Sequence, residues 1–207
     1  MSVIDSLADQ VLAVDRALSA AGIAHAFGGA LALAYCAEPR ATDDIDINIA
    51  LEPAETDRVL DALPPEIERD GRERDTAERD GQLRVWWGET AIDLFFGFHT
   101  FHHQLAARSR LVPFGHAEIP VIDGADLVVC KAMFDRSKDW TDIDSIAKDG
   151  RADLDHARRW LADLLGDDAP QVVRLDTVIA AHHVTIETDP TQQRPLQPPA
   201  PDLGPDF

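Results

Sequence analysis

The run Asp44-Ile45-Asp46-Ile47-Asn48-Ile49 is the most restrictive stretch of this chain. Polar and apolar residues alternate strictly, a pattern that fits a strand with one buried and one polar face. Asp44 and Asp46 then leave the same face, about 7 Å apart at the backbone. Just upstream, Phe27-Gly28-Gly29-Ala30 stands at a strand-to-helix junction. Glycine lets the backbone take positive φ and, having no Cβ, admits a ligand close to the N–H groups. The first N–H groups of the following helix favour an anion. Arg40 and Thr42 lie between the two features. A guanidinium can hold phosphate oxygens bidentately, and a hydroxyl can donate to one. Taken separately, the pieces have plainer accounts: a tight turn and a solvated strand face.

The rest of the chain supplies alternating elements. Val3 to Ala20 carries apolar residues at helical spacing and ends at Gly22. A short strand over Ile23–Phe27, a helix from Ala30 to about Ala37 and a strand from Asp44 to Leu51 follow. Pro53 opens a helix that Pro64-Pro65 closes. Glu66 to Gly81 is almost all charge and is expected to be a solvated loop or a ragged edge strand, with its arginines as an alternative contact for a polyanion. Gln82–Trp87 and Thr90–Phe96 flank Gly88-Glu89 as a hairpin. A helix over Thr100–Arg108 and a strand over Ala117–Ile122 come next. From Ala125 the pattern is helical to about His183, with breaks near Ser137, Gly150 and Gly166-Asp167. The stretch from Thr188 to Phe207, rich in Pro and Gln, reads as a disordered tail. The fold class expected is α/β in the α+β sense: a mixed sheet flanked by helices, then a C-terminal helical bundle. The boundaries are 1–123 for the α/β core, 124–187 for the helical region and 188–207 for the tail.

Composition narrows the partners. A net charge of −19 on 207 residues disfavours non-specific binding to a nucleic-acid backbone, while leaving room for a local basic patch. The N-terminus lacks the positive start and apolar run of a signal peptide, and no apolar stretch approaches the roughly 20 residues of a membrane span. Cys36 and Cys130 lie in apolar helical contexts and read as free buried thiols. A cytoplasmic protein is expected.

Further candidates come from outside the opening stretch. Asp93 is an isolated acid in the apolar strand Ala91-Ile92-Asp93-Leu94-Phe95, where a charge needs a cation or a hydrogen-bond partner. If that strand lies beside Asp44–Leu51, Asp93 joins the other two acids, and three carboxylates on one face can hold one or two Mg²⁺ ions. If not, it is an edge residue facing water. Lys131 is the only lysine in the apolar helix Leu127–Phe134 and can reach a triphosphate or snorkel to solvent. Asp139 and Asp142 share a helix face and can orient Lys131 or cap the next helix. His99, His102 and His103 have near metal-ligand spacing, but no Cys or acid completes a four-ligand set, so a helix start is expected there rather than a zinc site. His182-His183 falls at a helix end. Of Trp86 and Trp87 only one can be core.

These residues resemble a known pattern. Gly-Gly-Ala-Leu-Ala-Leu, then Pro-Arg-Ala-Thr-Asp-Asp-Ile-Asp-Ile, is similar to the signature of nucleotidyltransferase-fold proteins of the AbiEii and MenT toxin type, with aminoglycoside and lincosamide nucleotidyltransferases as more distant relatives. Residues 127–143 resemble that family's second block, a helical Lys followed by Arg and by Lys-Asp-x-x-Asp. The resemblance implies a nucleotidyltransferase fold with Asp44 and Asp46 as Mg²⁺ ligands and Asp93 as a third ligand or as the base. It implies that Gly28 and Gly29 cradle a nucleoside triphosphate with Arg40, Thr42 and Lys131, and that Asp139 and Asp142 complete the site. Ala30 departs from the pattern, which often has Ser or Thr there. The activity implied is transfer of a nucleoside monophosphate to an acceptor hydroxyl, with tRNA as acceptor and a cognate antitoxin as partner. Two alternatives stand beside it: an antibiotic-type enzyme, whose cationic aminoglycoside an acidic surface attracts, and a non-catalytic nucleotide-binding protein.

Overall fold

The computed structural model describes residues 6–97 and 99–186, so the first turn expected from Val3 and the tail from Thr188 lie outside the described residues. The chain divides into two compact units. One holds residues 6–31 and 41–122, the other 32–40 and 123–186 among those described.

The first unit opens with helix α1 (Leu7–Ala20). The Ser6 hydroxyl accepts from the Asp9 N–H and starts it, and Val11, Val14 and Leu18 face inward. Strand β1 (His25–Phe27) leads through Gly28 into helix α2 (Gly29–Leu33). This helix is shorter than expected. Beyond Leu33 the Tyr35 and Cys36 N–H groups bond three residues back, tightening the chain into turns. Strand β2 (Asp44–Ile49) follows, with Ile45, Ile47 and Ile49 buried and Asp44, Asp46 and Asn48 on the half-buried face, as the alternation requires. A 3-10 turn (Pro53–Glu55) runs into helix α3 (Thr56–Ala62).

The charged stretch from Glu66 to Gly81 is neither loop nor strand throughout. It contains helix α4 (Glu73–Asp80). Arg74 bridges forward to Glu78 at 2.9 Å and across to Asp57 at 3.1 Å, Ala77 is fully buried, and Gly81 ends the helix with φ 69°. One ion pair four apart, one ion pair to α3 and one buried alanine support the helix where hydrophobic periodicity is missing. Before α4, Glu68 forms a bridge to the sheet edge, its N–H donating to the Trp86 carbonyl at 2.8 Å.

Strands β3 (Gln82–Trp87) and β4 (Thr90–Phe96) form the expected hairpin, helix α5 spans Thr100–Arg108, and strands β5 (Arg110–Phe114) and β6 (Ala117–Val121) form a second hairpin. β5 has no counterpart in the sequence reading. Leu111 and Pro113 are exposed, so no alternation marks it. Among the described residues the sheet has six strands in the order β3-β4-β2-β1-β6-β5. β2 runs parallel to β4 and antiparallel to β1, and β1 runs parallel to β6. The fold is α+β, a mixed sheet flanked by helices.

The second unit is helical: α6 (Gly124–Phe134), α7 (Ser137–Asp149), α8 (Leu154–Leu165) and α9 (Pro170–Ile186). Asp123 caps α6, Asp135 in the left-handed region ends it, and Gly150 and Gly166 close the next two helices. Val128, Val129, Ala132, Ile143, Ile146, Ala157, Leu161, Val172 and Leu175 form its core. Among the described residues no helix is long and apolar enough to cross a membrane.

Candidate active site

In the first unit the strand register sets three carboxylates on one face. Asp46 stands opposite Asp93 across the parallel β2–β4 pair, and Asp44 stands opposite Ala91 two residues along. Alternation turns Asp44, Asp46 and Asp93 to the same side, because Ile45, Ile47, Ile92 and Leu94 occupy the buried side. Asp93 is therefore neither a strand-edge residue nor isolated.

The glycine turn lies directly against these acids. The Gly28 N–H donates to the Asp46 carbonyl at 2.9 Å. A Cβ on Gly28 would sit 2.9 Å from Asn48 Nδ2, and one on Gly29 would overlap the Asp46 carboxylate, 2.6 Å from its Cγ. Gly29 also has φ 52°. A side chain at either glycine would thus press on the polar face of β2, most severely at Gly29, where the backbone is also left-handed. Gly29→Ala should cost about 1–2 kcal/mol for the left-handed backbone, and it should also turn Asp46 aside. Thermal melts and substrate turnover measured side by side should therefore show activity falling well beyond what the lost stability explains.

Each carboxylate has its own local partner. The Thr42 hydroxyl donates to the Asp44 carboxylate, so it serves the acid rather than standing free for phosphate. Arg84 grips Asp93 with two hydrogen bonds, Nε to Oδ1 at 2.7 Å and Nη2 to Oδ2 at 2.6 Å. The hydrogen bond with Asp93 raises the Arg84 guanidinium above its ordinary pKa against the opposing effect of burial, and the charges of Asp93, Asp44 and Asp46 add to the rise. Among the described residues no three His, Cys, Asp or Glu side chains are gathered closely enough to hold a metal ion. The donor set still suits a hard divalent cation, being carboxylate oxygens on one sheet face, and a guanidinium cation already sits among them.

Arg84 escaped the sequence reading. Its signal was the hairpin itself: counting outward from the Gly88-Glu89 turn pairs Trp87 with Thr90 and hence Arg84 with Asp93.

The second unit holds a separate charged cluster. Lys131 is only 5% exposed, and its Nζ donates to Asp142 Oδ2 at 2.6 Å. Arg40 donates to the same carboxylate through Nε at 3.3 Å and Nη2 at 3.2 Å. Two cations therefore share one anion. Burial pushes the Asp142 carboxyl up, but the hydrogen bonds and charges of Lys131 and Arg40 prevail and hold it below the usual range. Asp139 does something different. It accepts from the Arg136 backbone N–H at 3.2 Å and from Arg136 Nε at 2.7 Å, capping α7. Of the two uses open to the acids of this helix, Asp142 orients Lys131 and Asp139 caps.

The remaining constellations are structural in their contacts. His99 accepts from the Phe101 N–H and starts α5. His102 is held low mainly by burial, with the charges of His99 and His103 adding. His182 meets Asp144 at 2.9 Å near the end of α9. Neither Cys36 nor Cys130 is in a disulfide; Cys36 is buried as expected whereas Cys130 is only half-buried, and burial pushes the Cys36 thiol up to about 12, which keeps it protonated and unreactive. Trp87 is core and Trp86 is 42% exposed.

No family model and no curated protein matches the sequence. Among solved structures the chain is similar to the antibiotic-resistance factor ANT(2'')-Ia, at 10% identity over 87% of this chain and 94% of that one, with a TM-score of 0.46. An antigenic nucleotidyltransferase-like protein from Paracoccidioides brasiliensis matches at 12% identity over 86% and 89%, with a TM-score of 0.49. JHP933 from Helicobacter pylori matches at 14% identity over 89% and 95%, with a TM-score of 0.44. Likenesses this low assign neither activity nor substrate to the chain.

Proposed function

We propose that this chain is a divalent-metal-dependent nucleotidyltransferase, moving a nucleoside monophosphate from a nucleoside triphosphate to an acceptor hydroxyl. The observation that carries the proposal is the alignment of Asp44, Asp46 and Asp93 on one sheet face with the Gly28-Gly29 turn packed against Asp46. A Mg²⁺ ion held there would neutralise phosphate charge and stabilise the oxygens that enter and leave the α-phosphorus. Asp44 and Asp46 would be its first ligands. Asp93, once released from Arg84, would be a third ligand or would take the acceptor's proton. The backbone at Gly28 and Gly29 leaves no side chain between the acids and an approaching phosphate. The acceptor oxygen attacks the α-phosphorus in line, the bond to the bridging oxygen breaks, and pyrophosphate leaves. In the second unit Arg40 and Lys131 carry one positive charge beyond what Asp142 neutralises, which suits them to phosphate.

For the acceptor, the resemblance of the two sequence blocks to the AbiEii and MenT toxins supports tRNA, with a cognate antitoxin as partner. The net charge of −19 favours a second reading, a cationic aminoglycoside-type acceptor. α-labelled nucleoside triphosphates incubated with the protein, Mg²⁺ and either total tRNA or an aminoglycoside panel separate the two. Label on tRNA supports the toxin, and label on the aminoglycoside supports the resistance-type enzyme. Nucleotide binding with no transfer to any acceptor supports a non-catalytic role, for which the apolar Ala30 after the glycines is the observation in favour.

A further inference from the structure

Arg84 is placed where a divalent cation would be expected to act. The hairpin sets it in one row with Asp93 and Asp46, counted across β3, β4 and β2. β3 is the edge of the sheet, so the guanidinium could point to solvent. It reaches inward instead and closes a bidentate pair on Asp93. The side chain remains half exposed, against 18% for Asp93. Exposed pairs are weak, contributing up to about fivefold in an equilibrium constant. The Trp86 ring lies 5.9 Å from the guanidinium carbon on the same strand and is exposed, so it offers the cation a second resting place if it leaves Asp93.

We propose that Arg84 is the resident counter-cation of the carboxylate row, a positioning residue that holds Asp93 until a divalent cation binds and then gives it up. The inference rests on the metal-dependent reading above. Carboxylates on one sheet face repel one another at this range, and Arg84, which feels the charges of Asp93, Asp44 and Asp46, offsets that repulsion and keeps Asp93 oriented on its face. A divalent ion carries twice the charge and can engage several carboxylates at once, so it displaces the arginine. Metal binding and the Arg84–Asp93 pair are therefore competing equilibria, and the arginine sets the metal concentration at which the site fills.

The test uses Mn²⁺ as probe, followed by electron paramagnetic resonance on the full chain without nucleotide. R84Q should bind Mn²⁺ about fivefold more tightly than the unaltered protein, because the competing pair is gone. R84K should fall between them. R79Q, which removes an exposed arginine paired with Asp80 on α4, should leave Mn²⁺ affinity unchanged. In EDTA, R84Q should melt about 2 °C lower, and saturating Mn²⁺ should erase that difference, which an ordinary surface ion pair would not do. Equal Mn²⁺ affinity in R84Q and the unaltered protein, or an equal gain in R79Q, overturns the inference and leaves the metal site standing. Failure of the unaltered protein, R84Q and R84K alike to bind Mn²⁺ overturns the metal-dependent reading together with it.

Discussion

Asp46→Asn is expected to lower nucleotide transfer by about a hundredfold to a thousandfold, the scale on which removal of one charge-stabilising group costs an enzyme, while leaving the fold in place. Asp46 is central to the carboxylate face. Asp93 is its cross-strand partner, its carboxylate fills the space above Gly29, and its carbonyl receives the Gly28 N–H. Asparagine keeps the shape and the backbone bond but removes the charge and one strong metal-ligating oxygen. Because asparagine keeps the side-chain shape and the backbone bond, the thermal midpoint should move far less than the activity does. Initial rates and a melting curve on the same preparation check both halves. A variant with full activity would contradict the assignment of this face to catalysis.

Asp142→Ala should be the most destabilising of the single changes in the second unit, at about 3–5 kcal/mol, the cost of leaving a buried charge without its partner. Lys131 is the charge at risk, since its Nζ has Asp142 as its partner and almost no water access. Arg40, more exposed, can turn to solvent. Asp142→Ala combined with Lys131→Met should recover much of the loss, because the uncompensated charge then goes with its partner. The same carboxylate has a pH signature. Its folded pKa is depressed, so its contribution is present above the unfolded value of about 3.9 and is lost as pH falls through the lower folded value. Asp142→Asn should accordingly flatten the acid limb of a stability profile below about pH 4, read by urea midpoints from pH 3 to 7.

Much of this arrangement was legible in the residues. The Asp-Ile-Asp-Ile alternation fixed both the strand and the face its acids take, because a period of two has no other use in a half-buried sheet. The Gly88 turn likewise fixed the β3–β4 hairpin. Local patterns do not say which strands are neighbours, so the contact that matters most, β4 parallel to β2, follows only from the sheet order. The glycines illustrate a second limit. Their freedom from Cβ pointed to a ligand, whereas the structure adds a requirement from the opposite side, the Asp46 and Asn48 side chains of β2. Helix α4 was missed because its support is ionic, from Arg74 to Glu78 and Asp57, rather than periodic burial. Thr42 and Arg40 look alike in sequence as phosphate donors, yet one serves Asp44 and the other Asp142. Charged side chains choose partners through the fold, and only the fold names them.

The most direct test of the central claim is the fate of two labels. The protein is incubated with Mg²⁺, an acceptor pool and nucleoside triphosphate labelled at either the α- or the γ-phosphorus. Nucleotidyl transfer puts the α-label on the acceptor and releases the γ-label as pyrophosphate, with both signals lost in Asp46→Asn. A γ-label on the acceptor, or α-label transfer that survives Asp46→Asn unchanged, would contradict the account.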